Sequence, residues 1–215
     1  PNRACSRRAQ LRELSSIFNH CRLYWWHAAD ARPLSGTGGP VAEGVTYSGS
    51  RDPRFVTIRR GGALDDETHY LLAVWSADCA ARVLDLFECE HPGDGRPRMA
   101  VNQAYAWARG EITMTQARAA AYAAHDAAKG AVGAAREAAR SAGHAVATAH
   151  MADHELGGAA YAIRAIRAAV GPDERDEAGR AECRWQQSHL PSAIRELVLD
   201  DMRLRTKKLW SLFDC

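Results

Sequence analysis

Lysine is almost missing. Lys129, Lys207 and Lys208 are the only three in 215 residues, and arginine supplies the rest of the 28 basic side chains. Alongside abundant Ala and Gly, this is the signature of GC-rich coding, so arginine enrichment alone does not mark a phosphate-binding surface. An excess of one charge is also missing. Twenty-eight basic against 26 acidic residues leave +2, which argues against a chain built mainly to hold nucleic acid or an anionic membrane. No apolar run approaches the ~18 residues of a membrane span, and no continuous apolar stretch near the start suggests an export signal. Strand signals are confined to Phe55-Val56-Thr57-Ile58. The cysteines at positions 5, 21, 79, 89, 183 and 215 include no C-x-x-C pair and no zinc-finger spacing. Free thiols are therefore expected, with Cys79 and Cys183 as small buried hydrophobes in helical patterns. A phosphate-binding loop, a Gly-x-Ser-x-Gly elbow and a Gly-x-Gly-x-x-Gly turn before a helix are all missing, so nucleotide-binding and acyl-hydrolase readings lack their motifs.

What is present is a foldable composition, 47% hydrophobic and 25% charged. Its organisation changes near residue 54. Before that point lie Arg32-Pro33, the run Ser35 to Pro40, Ser48-Gly49-Ser50 and Asp52-Pro53, clusters typical of loops. One amphipathic piece, 8–26, spaces Leu11, Leu14, Ile17 and Phe18 as a helix would. The chain opens on Pro1 and its first methionine is Met99. Residues 1–54 are accordingly expected to be a poorly ordered tail, or sequence upstream of a GTG start at Val56. Deleting them should shift the melting temperature by only a few degrees.

From about residue 64 the chain reads all-α, a compact Ala-rich bundle of about seven antiparallel helices over 55–215. Asp65 or Asp66 can cap a helix whose apolar stripe is Leu71, Val74, Trp75, Cys79, Val83, Leu86 and Phe87. Pro97 suits a first helical turn and Gly110 a C-terminal cap. Thr113 and Gln116 have capping-box spacing. Between residues 100 and 170 about two residues in five are Ala, the strongest helix former. The spacing predicts helices near 114–129, 132–154 (kinked or broken at Gly143), 157–170 and 174–187, and another from Pro191. Trp75, Val83, Phe87, Tyr105, Trp107, Ile163, Ile166, Leu197 and Val198 are expected to form one continuous core, with a fully buried Trp107 contributing ~3–5 kcal/mol.

Polar residues concentrate at His125, Asp126, His144, His150, Asp153, His154 and Glu155. His150 and His154 are four apart and would share a helix face. His-x-x-Asp-His superficially resembles the His-x-x-Glu-His zinc motif, with His125 or a carboxylate as the third ligand. The alternative is a buried polar network, in which a packed 114–129 helix brings His125 to His150 and His154, His144 lies on a different side, and at least one ring donates to a carboxylate. Asp78-Cys79 beside a histidine would make a nucleophile pair, but no oxyanion-hole signature accompanies it. Arg96, Arg98, Arg109, Arg118, Arg136 and Arg140 offer an anion-binding face or an ordinary solvated one.

Several stretches in order carry a family likeness: Val74-Trp75-Ser76-Ala77-Asp78-Cys79-Ala80, Arg96-Pro97-Arg98, Ala106-Trp107-Ala108-Arg109-Gly110-Glu111, Ala123-Ala124-His125-Asp126, Ala142-Gly143-His144-Ala145 and Glu182-Cys183-Arg184-Trp185-Gln186. Over roughly 57–200 the chain resembles the bacterial putative immunity protein family, the immunity-five-like domain. The resemblance implies an all-helical cytoplasmic protein that binds and blocks a cognate toxin, with no cofactor, no membrane role and no established catalytic residues. The matching polar positions are Asp78, Arg96, Arg98, Glu111, His125, His144, His150 and His154. Three functions compete on these residues: a non-enzymatic binder of a toxin protein, a metal- or small-molecule-binding helical protein using the histidines, and a nucleic-acid-associated protein using the arginines.

Overall fold

The computed structural model describes residues 51–215; the amphipathic piece at 8–26 and the other features read before residue 51 lie outside the described residues. Among the described residues eight α-helices follow one another: α1 Asp66–Ala81, α2 Leu84–Glu88, α3 Arg96–Ala108, α4 Met114–Lys129, α5 Gly133–Ala147, α6 Glu155–Ala169, α7 Arg175–Ser188 and α8 Ser192–Arg205. No strand forms among the described residues. Phe55 to Ile58 instead falls in short 3-10 turns, with one isolated bridge between Thr57 and Leu64.

Local chemistry sets most boundaries. The Asp65 carboxylate accepts from the Thr68 amide at 2.7 Å and starts α1. Thr113 and Gln116 close the full capping box of α4. Gly110 takes the left-handed conformation after α3 (φ 74°) and donates to Trp107 O at 2.9 Å. The expected single stripe from Leu71 to Phe87 is divided: the chain leaves helical geometry at Val83 (φ −112°, ψ 0°) and restarts as α2.

α1 explains the core. It is buried nearly all round, with Leu72, Trp75 and Cys79 on one side and Ala77 and Ala80 on the other. The larger cluster joins Trp75, Val83, Phe87, Leu156, Ile163, Ile194 and Val198, with Ile166 and Leu197 packed at its edge. The smaller, Ala-lined cluster holds Leu84, Val101 and Val146, with Tyr105 and Trp107 only half-buried beside it. The expected continuous core is thus two, because α1 runs between them. Trp107 packs at the end of α3 edge-on against His69 and Tyr70, at 4.8 and 5.1 Å.

α6 is wedged between α1 and α5. Its first turns, Leu156-Gly157-Gly158-Ala159-Ala160, are buried. The Ser76 hydroxyl donates to Glu155 O at 2.9 Å, and the Ser141 hydroxyl to Gly158 O at 2.7 Å. A Cβ on Gly158 would collide with Ser76, so glycine here sets the approach of α6 to α1.

Two further departures concern the ends of the helical unit. Arg54 pairs with Asp52 at 2.7 Å and Asp200 at 2.6 Å, and Phe55 is buried, so the residues just before 55 already touch the helices. Cys183 and Cys215 form a disulfide rather than staying free, while Cys79 is a free, buried thiol. After α8 the chain turns through Trp210 and Ser211 at positive φ, buries Leu212 and Phe213, and brings Cys215 back to α7.

Candidate functional site

Histidine rings from three consecutive elements meet at one end of α5. His125 projects from α4 and His144 from α5. His150 sits in the turn after α5, and His154 ends the 3-10 turn that leads into α6. α5 does not run to 154 as its spacing suggests. The His69 ring on α1 donates through Nε2 to the Thr148 carbonyl at 2.7 Å, and the amides of Ala149 and His150 turn back to carbonyls three residues earlier. His150 and His154 therefore do not share a helix face, although their rings come within 5.5 Å.

The rings form a line, and His144 is its centre. His144 stands 5.0 Å from His125 and 5.4 Å from His154, centroid to centroid. Tyr161 of α6 stacks on its other side at 5.0 Å with an interplanar angle of 13°. His144 thus stands between His125 and His154, which were expected to approach each other directly.

Two glycines make the line possible. A Cβ on Gly143 would come within 2.7–2.9 Å of the His125 ring atoms, and one on Gly157 within 2.7–3.1 Å of His144. Gly143 does not break α5, which runs unbroken through it; its role is clearance for a ring from the neighbouring helix.

A line is not a coordination sphere. Among the described residues no group of three or more His, Cys, Asp or Glu stands where it could hold a metal ion, so His125, His150 and His154 do not converge as a zinc triad would. Nor does any of the four rings hydrogen-bond a carboxylate among the described residues, contrary to the expected cross-helix pairing. Instead Nδ1 of His144 and Nδ1 of His150 are buried without a partner.

Burial, reinforced by neighbouring cations, keeps these rings neutral. It lowers His144 to about 3, helped by His154, His125, Arg140 and Arg205. It lowers His150 to about 4, with His154, Arg118 and Arg51 adding and Asp153 opposing. His125 and His154 are lowered too, burial again being the main cause. The sign of the linkage follows. Unfolded histidines titrate near 6.5 and bind more protons than the folded ones below that value, so stability falls as pH drops from about 6.5 towards 3. Imidazole NMR should find His144 and His150 titrating last among the histidines; midpoints near 6.5 would contradict the burial described.

The remaining sequence-derived positions lie in separate local pairs. Asp78 accepts from Tyr105 Oη at 2.7 Å, and burial raises its carboxyl. Arg96 pairs with Asp94 at 2.5 Å, Arg98 with Glu88 at 2.6 Å and Glu111 with Arg109 at 2.7 Å. The last three are exposed pairs that the structure does not bring to the histidines.

Sequence reasoning singled out neither Tyr161 nor Trp210 beside the histidines, nor the burial of Glu155. Trp210 reaches Tyr161 edge-on at 5.5 Å only through the turn after α8, with the Arg164 guanidinium 4.3 Å from its ring centre. Beneath His154, Glu155 is fully buried beside buried Asp201, and Arg205 bonds Asp201 at 2.8 Å and the Asp153 carbonyl at 2.9 Å. An acid adjoining a histidine gave no sign of such burial.

Compared with known proteins, the chain matches the family model described as Imm-5 like putative immunity protein over residues 62–193. Among the curated proteins and the solved structures, none matches. The matched region runs from just before α1 to the start of α8 and contains all four histidines of the row.

Proposed function

Because the chain belongs to the Imm-5 like putative immunity protein family, we propose that it is an immunity protein that binds a cognate toxin and neutralises it without chemistry of its own. The family implies a partner toxin in general; the specific reading is that the histidine crevice is where the toxin docks. The observation that carries the reading is the row of four half-buried histidine rings, with Tyr161 stacked on His144. Protein binding through a half-buried aromatic cluster also agrees with how interfaces concentrate their energy.

The action is placed in the bacterial cytoplasm, as expected of a protein that protects its producer. No described helix is long and apolar enough to cross a membrane. Reducing conditions there would open the Cys183–Cys215 bond, leaving Leu212 and Phe213 to hold the C-terminal turn by packing. Co-expression with a candidate cognate toxin tests the proposal. Restored growth and a co-purifying complex are expected from the full chain. Toxicity unchanged, with no complex, would overturn it.

A further inference from the structure

Beside the histidine row, three parts of the chain build an aromatic and cationic patch. Tyr161 of α6, stacked on His144, meets Trp210 edge-on at 5.5 Å. The Arg164 guanidinium carbon lies 5.4 Å from the Tyr161 ring centre and 4.3 Å from that of Trp210. The guanidinium carbon of Arg140, from α5, lies 5.7 Å from the Tyr161 ring centre, and its Nη1 donates to Tyr161 Oη at 3.3 Å. Trp210 is 50% exposed. A single exposed apolar side chain is ordinary, but this one is fixed in place. Its backbone holds φ at 59°, uncommon for a bulky residue. Leu212 and Phe213, which follow it, are buried.

Cations outnumber acids in this patch. Arg136 and Arg164 both pair with the buried Glu137, at 3.2 and 2.8 Å. Arg140 is exposed and has no carboxylate partner among the described residues, so three guanidinium groups share one carboxylate. Lys207 and Lys208, exposed in the turn that leads to Trp210, have no such partner either, and Asp214 nearby in sequence accepts from Thr206 at 3.3 Å. The unused donors are specific. Arg164 spends Nε and Nη2 on Glu137 and keeps Nη1. Arg140 spends Nη1 on Tyr161 and keeps Nε and Nη2, the edge that grips a carboxylate with two parallel bonds.

We infer that this patch receives an acidic and apolar segment of the partner protein, with a carboxylate seated on Arg140 beside Arg164 and a neighbouring apolar side chain on the exposed part of the Trp210 ring. The inference rests on the immunity reading for the identity of the partner and adds its chemistry. Trp, Tyr and Arg are the residues in which interfaces concentrate their binding energy. Here they are locked against one another before the partner arrives, so little side-chain freedom remains to be lost on binding. The patch also continues the histidine row through the Tyr161–His144 stack, so one partner can cover both. The attraction is partly between exposed charges and weakens with salt. Nucleic acid fits less well. The cations surround one aromatic pair in a chain of net charge +2, and they do not form the extended basic track that a phosphate backbone needs.

The test uses the full chain and a synthetic hexapeptide of alternating Glu and Leu, with calorimetry for affinity and the indole N–H signal of Trp210 in NMR for location. Saturable binding that shifts this signal is expected. Arg140→Glu and Trp210→Gly should each weaken binding by about tenfold or more. Arg140 is exposed, and glycine accepts the left-handed backbone at 210, so both variants should fold as the parent does. No binding at millimolar peptide, equal binding by both variants, equal binding of the Gln and Leu peptide, or binding only of single-stranded DNA of equal charge would overturn the inference. The cognate toxin separates the two proposals. A toxin bound equally by parent and both variants defeats this inference and leaves the immunity reading standing. Peptide binding that both variants lose, without any protection from the toxin, does the reverse.

Discussion

Trp75→Ala should lower the unfolding free energy of the full chain by about 3–5 kcal/mol in urea denaturation. The ring is fully buried on α1, and its Nε1 donates to Gln186 O on α7 at 3.0 Å. Truncation leaves a cavity between helices and strips a buried carbonyl of its donor, two losses in one substitution. Gln186 cannot readily move to compensate, because its side chain donates to Ala159 O at 3.1 Å and to Glu182 at 3.2 Å. Trp107→Ala, which removes a half-buried ring, should cost no more than about 2 kcal/mol. A larger effect at Trp107 than at Trp75 would invert the core assignment.

Arg205→Met should be comparably damaging, by about 3–5 kcal/mol, since it leaves the buried Asp201 carboxylate without its cation. Arg205 bonds Asp201 at 2.8 Å and stands 3.8 Å from Glu155 Oε1, and both acids are buried. Glu155→Gln should be nearly neutral by contrast. Burial, with Asp201 beside it, already pushes the Glu155 carboxyl well above its ordinary 4.5, towards the protonated form that glutamine imitates. An acid raised in the folded state binds its proton more tightly there than when unfolded. It therefore withdraws stability as pH rises from about 4.5 towards the raised value, and Glu155→Gln should remove that part of the pH dependence. Equal losses from Arg205→Met and Glu155→Gln would mean that Glu155 is ionised and paired.

The features legible in the sequence are those decided within a few residues. Asp65, Pro97, Gly110 and the Thr113–Gln116 box each act on their own helix end, and α4 falls where its caps place it. Features decided across helices were not legible. Gly143 read as a breaker because the reason for it, the His125 ring, belongs to another helix. The end of α5 at Ala147 depends on His69 reaching Thr148 from α1. Trp75 and Trp107 occupy similar apolar patterns, and only the position of α1 between two clusters separates a buried ring from a half-buried one. The Cys183–Cys215 pair spans 32 residues with no spacing rule to announce it. Among the site residues, the histidines were found as a cluster, but their order around His144 and the lack of carboxylate partners required the packing of α4, α5 and α6.

The central claim is that the turn carrying His150 and His154 lies under the toxin. Hydrogen exchange of the full chain, free and in its complex with the cognate toxin, tests this most directly. Amides over 148–154, where regular helix gives way to a turn, should exchange at least about tenfold more slowly in the complex. Unchanged exchange there, with protection confined to the Arg96 and Arg98 end of α3, would place the toxin elsewhere and contradict the assignment of the crevice.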